Sequence, residues 1–315
     1  MTSSPRRTLR PEDLRPHTAS PWPIPGAGDT ATRWSSLADL AARDLPLVKV
    51  VEPHHDAAAI LADLGGRPPQ DDEIWGVWAA EPPFAVLTAS RDGDRWTLSG
   101  TKAFCSGASL VTHALVTART DAGSRLFAVE LTDGVRADDT APRWSGAGMA
   151  RADTTALAFD AVAATPVGDV GDYVDRPGFW LGAIGIAACW LGGATGVAAT
   201  LEKVAPRLDP HGLAHLGAVR AALDTAQLAM TAAADLADRE DLTTERSERL
   251  AHALRAHAAG TVETVVSHVG RALGPGPLAF DAAHAEHVQD LQVFVRQHHA
   301  ERDLERLGSL GAPDA

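Results

Sequence analysis

Between Phe179 and Leu201 the chain carries no charged residue, and this one segment restricts the folds open to it. At about 1.5 Å of rise per residue it is long enough to cross a bilayer. It is therefore either a membrane span or the buried centre of a helical bundle. Gly and Ala dominate it, with few Leu, Ile, Val or Phe, so insertion into lipid gains little. No basic cluster flanks it and no second span accompanies it. Gly192 and Gly196 put small residues one turn apart, which suits close helix packing. We expect a bundle helix and no membrane partner.

The rest of the second half reads as helix. Leu216, Val219, Leu223, Ala226 and Met230 recur at three and four, as do Leu250, Leu254, Ala258, Val262, Val265 and Val269. Gly274-Pro275-Gly276-Pro277 interrupts the pattern before a last helix expected from Asp281 to Leu307, with Val288, Leu291, Val295 and Leu304 on one face. Four helices with short joins predict an antiparallel bundle over residues 175–310.

Residues 71–170 change character. Asp92-Gly93 separates Phe84–Leu87 from the alternating Trp96 and Leu98, which is a hairpin signal. Short apolar runs follow at 103–105, 114–116, 126–131 and 156–159, divided by turn residues. That spacing predicts a small antiparallel β-barrel or sandwich. Ahead of it, residues 31–70 form a short helical region, with Leu37, Leu40, Ala41, Leu45 and Leu47 on one face, stopped by Gly65-Gly66 and Pro68-Pro69. Residues 1–30 are rich in Pro, Ser, Thr and Arg, and are expected to be a disordered or extended tail. The fold class is α+β.

At 315 residues and 45% hydrophobic composition the chain can build about two cores. A net charge of −13 without any basic run argues against nucleic-acid and anionic-membrane partners. Cys105 and Cys189 lie far apart and outside any CxxC pattern, so a reducing, cytoplasmic setting is expected. Arg6-Arg7 is followed by polar, Pro-rich sequence rather than by the apolar stretch of a secretion signal.

The 13 histidines are the first candidates for chemistry, notably His54-His55-Asp56, His284 with His287, and His298-His299 beside Glu301 and Asp303. A carboxylate-bridged metal bundle needs Glu-x-x-His on each of two helices, and that pair is missing. HExxH, GxSxG, GxGxxG and the phosphate-binding GxxxxGK[ST] are absent too. Polar histidines on solvated helix faces are the simpler expectation, and no metal is expected.

A more specific signal lies in Leu98-Ser-Gly-Thr-Lys-Ala-Phe-Cys-Ser-Gly107 followed by His113-Ala-Leu-Val-Thr-Ala-Arg119. Upstream stands Trp75-Gly-Val-Trp-Ala-Ala-Glu-Pro82; downstream stand Gly148-Met-Ala-Arg-Ala-Asp-Thr-Thr155, Leu157-Ala-Phe-Asp-Ala-Val162 and Leu273-Gly-Pro-Gly276. Taken in order, these resemble the acyl-CoA dehydrogenase superfamily: its Thr-Glu-Pro strand, its Gly-x-Lys strand with an aromatic and a hydroxyl, its Gly-x-Arg-x-Ser-x-Thr run and its Leu-Gly-Gly-x-Gly loop. The resemblance covers about residues 74–308.

The resemblance implies an FAD held between the β domain and the bundle, in a protein that forms homo-oligomers. By position, Phe104 would pack on the flavin ring, Ser106 would sit beside its N5, and Glu81 would stand in the strand that borders it. Gly274 and Gly276 would let backbone approach the diphosphate. An aromatic supplies a flat apolar wall, and a hydroxyl can both donate and accept as the redox state changes.

The implied activity is oxidation of an acyl-CoA or a similar small molecule, by α-proton abstraction and hydride transfer to FAD, with a separate electron acceptor. Three departures stand out. The N-terminal helical region is short. Ala80 replaces the hydroxyl residue before Glu-Pro. The family's basic Glu aligns with Gln297 or His298, leaving His298 or Glu301 as the candidate base. A monooxygenase on the same fold needs no such carboxylate, and a non-catalytic assembly subunit needs no chemistry at all.

Overall fold

The computed structural model describes residues 7–239 and 242–311. Three helices come first: α1 (Pro11–Thr18), α2 (Thr30–Ala41) and α3 (Leu45–Leu64). α3 begins where the Asp44 carboxylate accepts the amide of Leu47 at 3.0 Å, and it stops at Gly65, whose φ of 77° is left-handed. Seven strands follow: β1 (Trp75–Trp78), β2 (Leu87–Asp92), β3 (Arg95–Cys105), β4 (His113–Thr120), β5 (Gly123–Glu130), β6 (Val135–Ala137) and β7 (Thr155–Val167). After the short α4 (Asp172–Asp175) come α5 (Gly178–Glu202), α6 (Pro210–Arg239), α7 (Thr244–Leu273), α8 (Gly276–Phe280), α9 (Ala282–Phe294) and α10 (Glu301–Ser309).

The sheet closes on itself. β2, β3, β7 and β5 pair antiparallel in that order, β5 pairs with β4, and β4 meets β2 through Thr88 and Arg119. β1 adds to β4 in parallel, and β6 adds to β7. Closure removes the exposed edges that an open sheet would leave. The hairpin at Asp92-Gly93 joins β2 to β3, as its sequence predicts.

α5, α6, α7 and α9 form the bundle, with α5 at its centre packed on α7, α2, α9 and α6. The charge-free segment lies within α5, and 67% of its most apolar stretch is buried inside the protein. Its small residues are needed because neighbouring backbone is so close. A Cβ on Gly192 would lie 2.1 Å from the carbonyl oxygen of Ala38, and one on Gly196 would lie 2.5 Å from that of Ala42.

α3 joins the two halves. Its Ala57, Ile60 and Leu61 pack against Trp75, Leu115, Leu126 and Val167 of the barrel, while Leu45 and Val48 belong to the main core.

Two expectations need correction. Within the stretch expected to be disordered or extended, residues 11–18 are helical, and Leu9 and Leu14 are buried at 5% and 0% exposure. Pro11 starts this helix without losing a needed amide, and burial of Leu14 holds it. Residues 1–6 of that stretch lie outside the described part. The final helix is not continuous to Leu307 either. α9 ends at Phe294, a single 3-10 turn follows, His298 is extended, Ala300 has a φ of 47°, and α10 restarts at Glu301. The break is fixed by Asp303, which accepts the amide of His299 at 3.1 Å and lies 3.4 Å from its ring.

Candidate functional site

The carboxyl ends of β1 and β3 face the bundle across a cleft with two chambers. The first, about 750 Å³, is lined by Trp78, Ala79, Ala80, Phe104, Ser106, Trp144, Met149 and Thr154 from the barrel side, and by Val293, Phe294, Arg296 and Gln297 from the bundle side. The second, about 660 Å³, lies between α3, α5, α7 and α10. Lys49, Val77, Ala79, Tyr173, Arg255 and His299 line both, so the chambers are contiguous.

Phe104 stands out in the first chamber. It is a non-glycine residue at φ 57°, beside a register shift in the pairing of β3 with β7. The residue is 52% exposed, and its ring meets Phe84 edge-on, with centroids 6.1 Å apart. Holding a large residue there costs on the order of 1–2 kcal/mol, and water contact with the ring recovers none of it. Around it the frame is firm. The indole N–H of Trp78 donates to the carbonyl of Ser106 at 3.1 Å, and the hydroxyls of Ser106 and Thr154 lie 2.9 Å apart. The Ser106–Thr154 pair leaves further hydroxyl capacity on each residue.

Met149 and Asp153, which bracket the approach to Thr154, are also left-handed at φ 58° and 49°. Their loop is bound on both sides. Gly107 and Ala108 donate to the carbonyls of Ala152 and Asp153, and Ser109 donates to the Asp153 carboxylate at 2.6 Å. On the bundle side the Met149 amide donates to Asp290 at 2.5 Å, and a Cβ on Gly148 would lie 2.5 Å from the carbonyl of Gln289. Arg151 makes a two-bond pair with Asp44 at 2.9 and 3.1 Å, beside Glu286 at 3.8 Å. Burial, opposed by the Met149 bond, raises Asp290 to about 6.

The second chamber sets charged side chains among apolar ones such as Val77, Phe179 and Ile186. Lys49, Arg176, Arg255, Arg302 and Arg306 face it with Glu52, Asp56, Glu248, Asp303 and Glu305, alongside His252 and Trp180. Several of these are paired: Arg176 with Asp56 at 3.4 Å and Asp63 at 2.9 Å, and Arg306 with Glu248 at 2.7 Å. Arg255 donates to the carbonyls of Ala183 and Gln297 and covers the Trp190 ring at 4.7 Å. Burial, with Asp56 nearby, raises Glu52 to about 7.

The sequence-predicted residues divide. Phe104 and Ser106 come together on the wall of the first chamber, with Ala80 beside them. Glu81 does not: it borders a separate cavity of about 130 Å³, where it accepts from Ser124 at 2.7 Å. Gly274 lies in a crevice of about 30 Å³ between α7, α8 and α9, and Gly276 begins α8; neither lines the cleft.

His298 lines neither chamber. Its side chain is 9% exposed and packs edge-on to Trp190, 3.9 Å from Asp303, and burial lowers its pKa. The helix break turns it away from the cleft and presents His299 instead. Glu301 is exposed on the first turn of α10 and also stands outside the cleft. Among the described residues, no group of three or more His, Cys, Asp and Glu is placed to hold a metal.

Sequence reasoning missed Lys49, Glu52 and Arg255. The signal was faint: a Lys, a Glu and an Asp at positions 49, 52 and 56, sharing one face of an otherwise apolar helix.

Solved structures resemble this chain in fold. KijD3, in complex with FMN and dTDP-3-amino-2,3,6-trideoxy-4-keto-3-methyl-D-glucose, matches 90% of this chain and 79% of its own, at 20% identity and a TM-score of 0.75. The dibenzothiophene monooxygenase TdsC from Paenibacillus sp. A11-2 matches 89% of this chain and 82% of its own, at 20% identity and a TM-score of 0.73. The nitrososynthase from Micromonospora carbonacea var. africana matches 94% of this chain and 87% of its own, at 19% identity and a TM-score of 0.75. The chain has their fold. No protein-family model matches the sequence, and no curated protein does.

Proposed function

We propose that this protein is a flavin-dependent oxidoreductase acting on a small polar molecule, with the flavin ring in the first chamber and the substrate in the second. The observation that carries this reading is Phe104, an exposed aromatic held in left-handed backbone at the mouth of a cavity framed by the hydroxyls of Ser106 and Thr154. Strain of this kind persists where the surrounding structure enforces it, and it concentrates at ligand sites. The residues fit the group. Phe104, Trp78 and Phe294 offer flat apolar walls, and Ser106 with Thr154 offers donors and acceptors to a heteroaromatic edge. Bound there, a flavin would supply two-electron chemistry or the activation of dioxygen. The neighbour KijD3 was solved with FMN, and TdsC with FMN and indole. Either FMN or FAD serves this reading.

The placement of the candidate bases separates the candidate reactions. Dehydrogenation of an acyl thioester needs a base at its α-carbon. Here the second chamber presents ion pairs, and neither His298 nor Glu301 reaches the cleft. A monooxygenase-type reaction, which needs no such base, fits this cleft better than acyl-CoA dehydrogenation. Equilibrium titration of the purified protein with FMN and with FAD, followed by oxygen uptake after reduction of the bound flavin, tests the proposal. Saturable uptake of one flavin, with oxygen consumption once it is reduced, is expected. Uptake of neither flavin overturns it, and bleaching by acyl-CoA under anaerobic conditions restores the dehydrogenase reading.

A further inference from the structure

α3 turns Lys49, Glu52 and Asp56 toward the second chamber, spaced so that they share one helix face. Asp56 is paired with Arg176. Glu52 is not paired: at 7% exposure, it has no hydrogen bond or ion pair among the described residues. Lys49, Arg33 and Arg176 supply counter-charge from a distance, but none makes a hydrogen bond or ion pair with Glu52. Arg33 donates to the carbonyls of Pro23 and His55, Arg176 holds Asp56 and Asp63, and the Lys49 ammonium lies over the Phe294 ring, 5.6 Å from its centroid. A buried carboxylate without a hydrogen-bond donor is costly, and the group that restores most is a cationic N–H donor, which supplies hydrogen bond and close counter-charge together. A hydroxyl supplies only the first.

We propose that the second chamber is an amine-binding subsite, in which Glu52 holds the ammonium of a small-molecule substrate and takes its proton. In that step one N–H bond breaks, an O–H bond forms on Glu52, and the lone pair stays on nitrogen; no electron leaves the pair of molecules. The free amine is then a nucleophile or an oxidisable centre at the junction with the first chamber, where Lys49 stands. As the site of an enzyme's substrate, this subsite rests on the functional reading above.

The probes are benzylamine, benzyl alcohol and benzoate, titrated calorimetrically into the protein with and without bound flavin. Wild type should prefer benzylamine to the other two by about tenfold or more, the equivalent of one charge-assisted contact. Glu52→Gln should lower benzylamine affinity about tenfold and leave benzyl alcohol within about twofold. Glu52→Asp, which keeps the charge, should retain the preference, and Glu301→Gln, on the exposed turn of α10, should match wild type. Equal benzylamine affinity in wild type and Glu52→Gln, a preference for benzoate, or no saturable benzylamine binding would each overturn the subsite. Flavin uptake is read separately by absorbance. Glu52-dependent amine binding in a protein that takes up no flavin removes the functional reading and leaves the subsite. Flavin uptake with no dependence on Glu52 does the reverse.

Discussion

The Ser106 hydroxyl lies 2.9 Å from that of Thr154, tying the end of β3 to the loop that enters β7 on the wall of the first chamber. Two polar groups that satisfy each other here still offer capacity to a ligand. Removing one leaves the other short of a partner, at about 0.5–1.5 kcal/mol. We therefore expect Ser106→Ala and Thr154→Val each to weaken flavin binding about three- to tenfold, read by fluorescence titration. Unchanged affinity in both variants would move the ring elsewhere.

Phe104→Gly separates stability from binding. Glycine relieves the left-handed backbone, a gain of about 1 kcal/mol, and loses about as much to the entropy of the unfolded chain. The exposed ring contributes little burial to the folded state. Urea midpoints should stay within about 1 kcal/mol of wild type, while flavin affinity falls about tenfold or more. A large loss of stability with normal flavin affinity would make Phe104 a packing residue.

Asp290 gives a pH-dependent prediction. Burial raises its folded pKa to about 6, above the ordinary aspartate value of 3.8. The stability associated with its neutral form is therefore full below about pH 4 and is lost as pH rises through 6. Asp290→Asn keeps an acceptor for the Met149 amide and removes the charge. Relative to wild type, the variant should gain on the order of 2–3 kcal/mol between pH 4 and pH 8, the size set by the shift. Comparing the two pH values cancels any fixed cost of the amide. A difference that is flat with pH, measured by urea unfolding, refutes the raised pKa.

Gly192→Ala adds a single methyl group at a place where backbone stands 2.1 Å away. The α2–α5 contact must open, and about 1–3 kcal/mol of stability should be lost. Gly217, on α6, is the control, because a Cβ added there would meet nothing within 4 Å. Gly217→Ala should gain about 0.5–1 kcal/mol from helix propensity. Equal behaviour of the two variants in thermal unfolding would show that α5 is not packed this closely.

His298 and Glu301 should behave as structural and surface residues. Glu301→Ala should stay within about 0.5 kcal/mol of wild type. His298→Ala removes a side chain packed on Trp190 and should cost about 1–2 kcal/mol of stability, with flavin binding and turnover retained. Loss of turnover at wild-type stability in His298→Ala would return it to the chemistry.

The sequence by itself determined the two-part architecture, because each part carries its own period. Alternating short runs with Asp92-Gly93 between two of them specify a small antiparallel barrel or sandwich, and Leu254, Ala258, Val262, Val265 and Val269 specify one helix face. The family resemblance carried by the run from Leu98 to Gly107 also singled out Phe104 and Ser106. Only the tertiary structure decided what surrounds them. Glu81 stands close in sequence to the cleft-lining Ala80, but it faces another cavity. His298 sits at a position that a straight helix would turn inward, yet capping by Asp303 ends the regularity and rotates it out. Glu52 and Arg255 belong to helices whose patterns look structural, and they line one chamber because α3 lies between barrel and bundle. Periodicity reports which face of an element is buried, but contacts between distant segments depend on how the elements pack, and no local pattern encodes that.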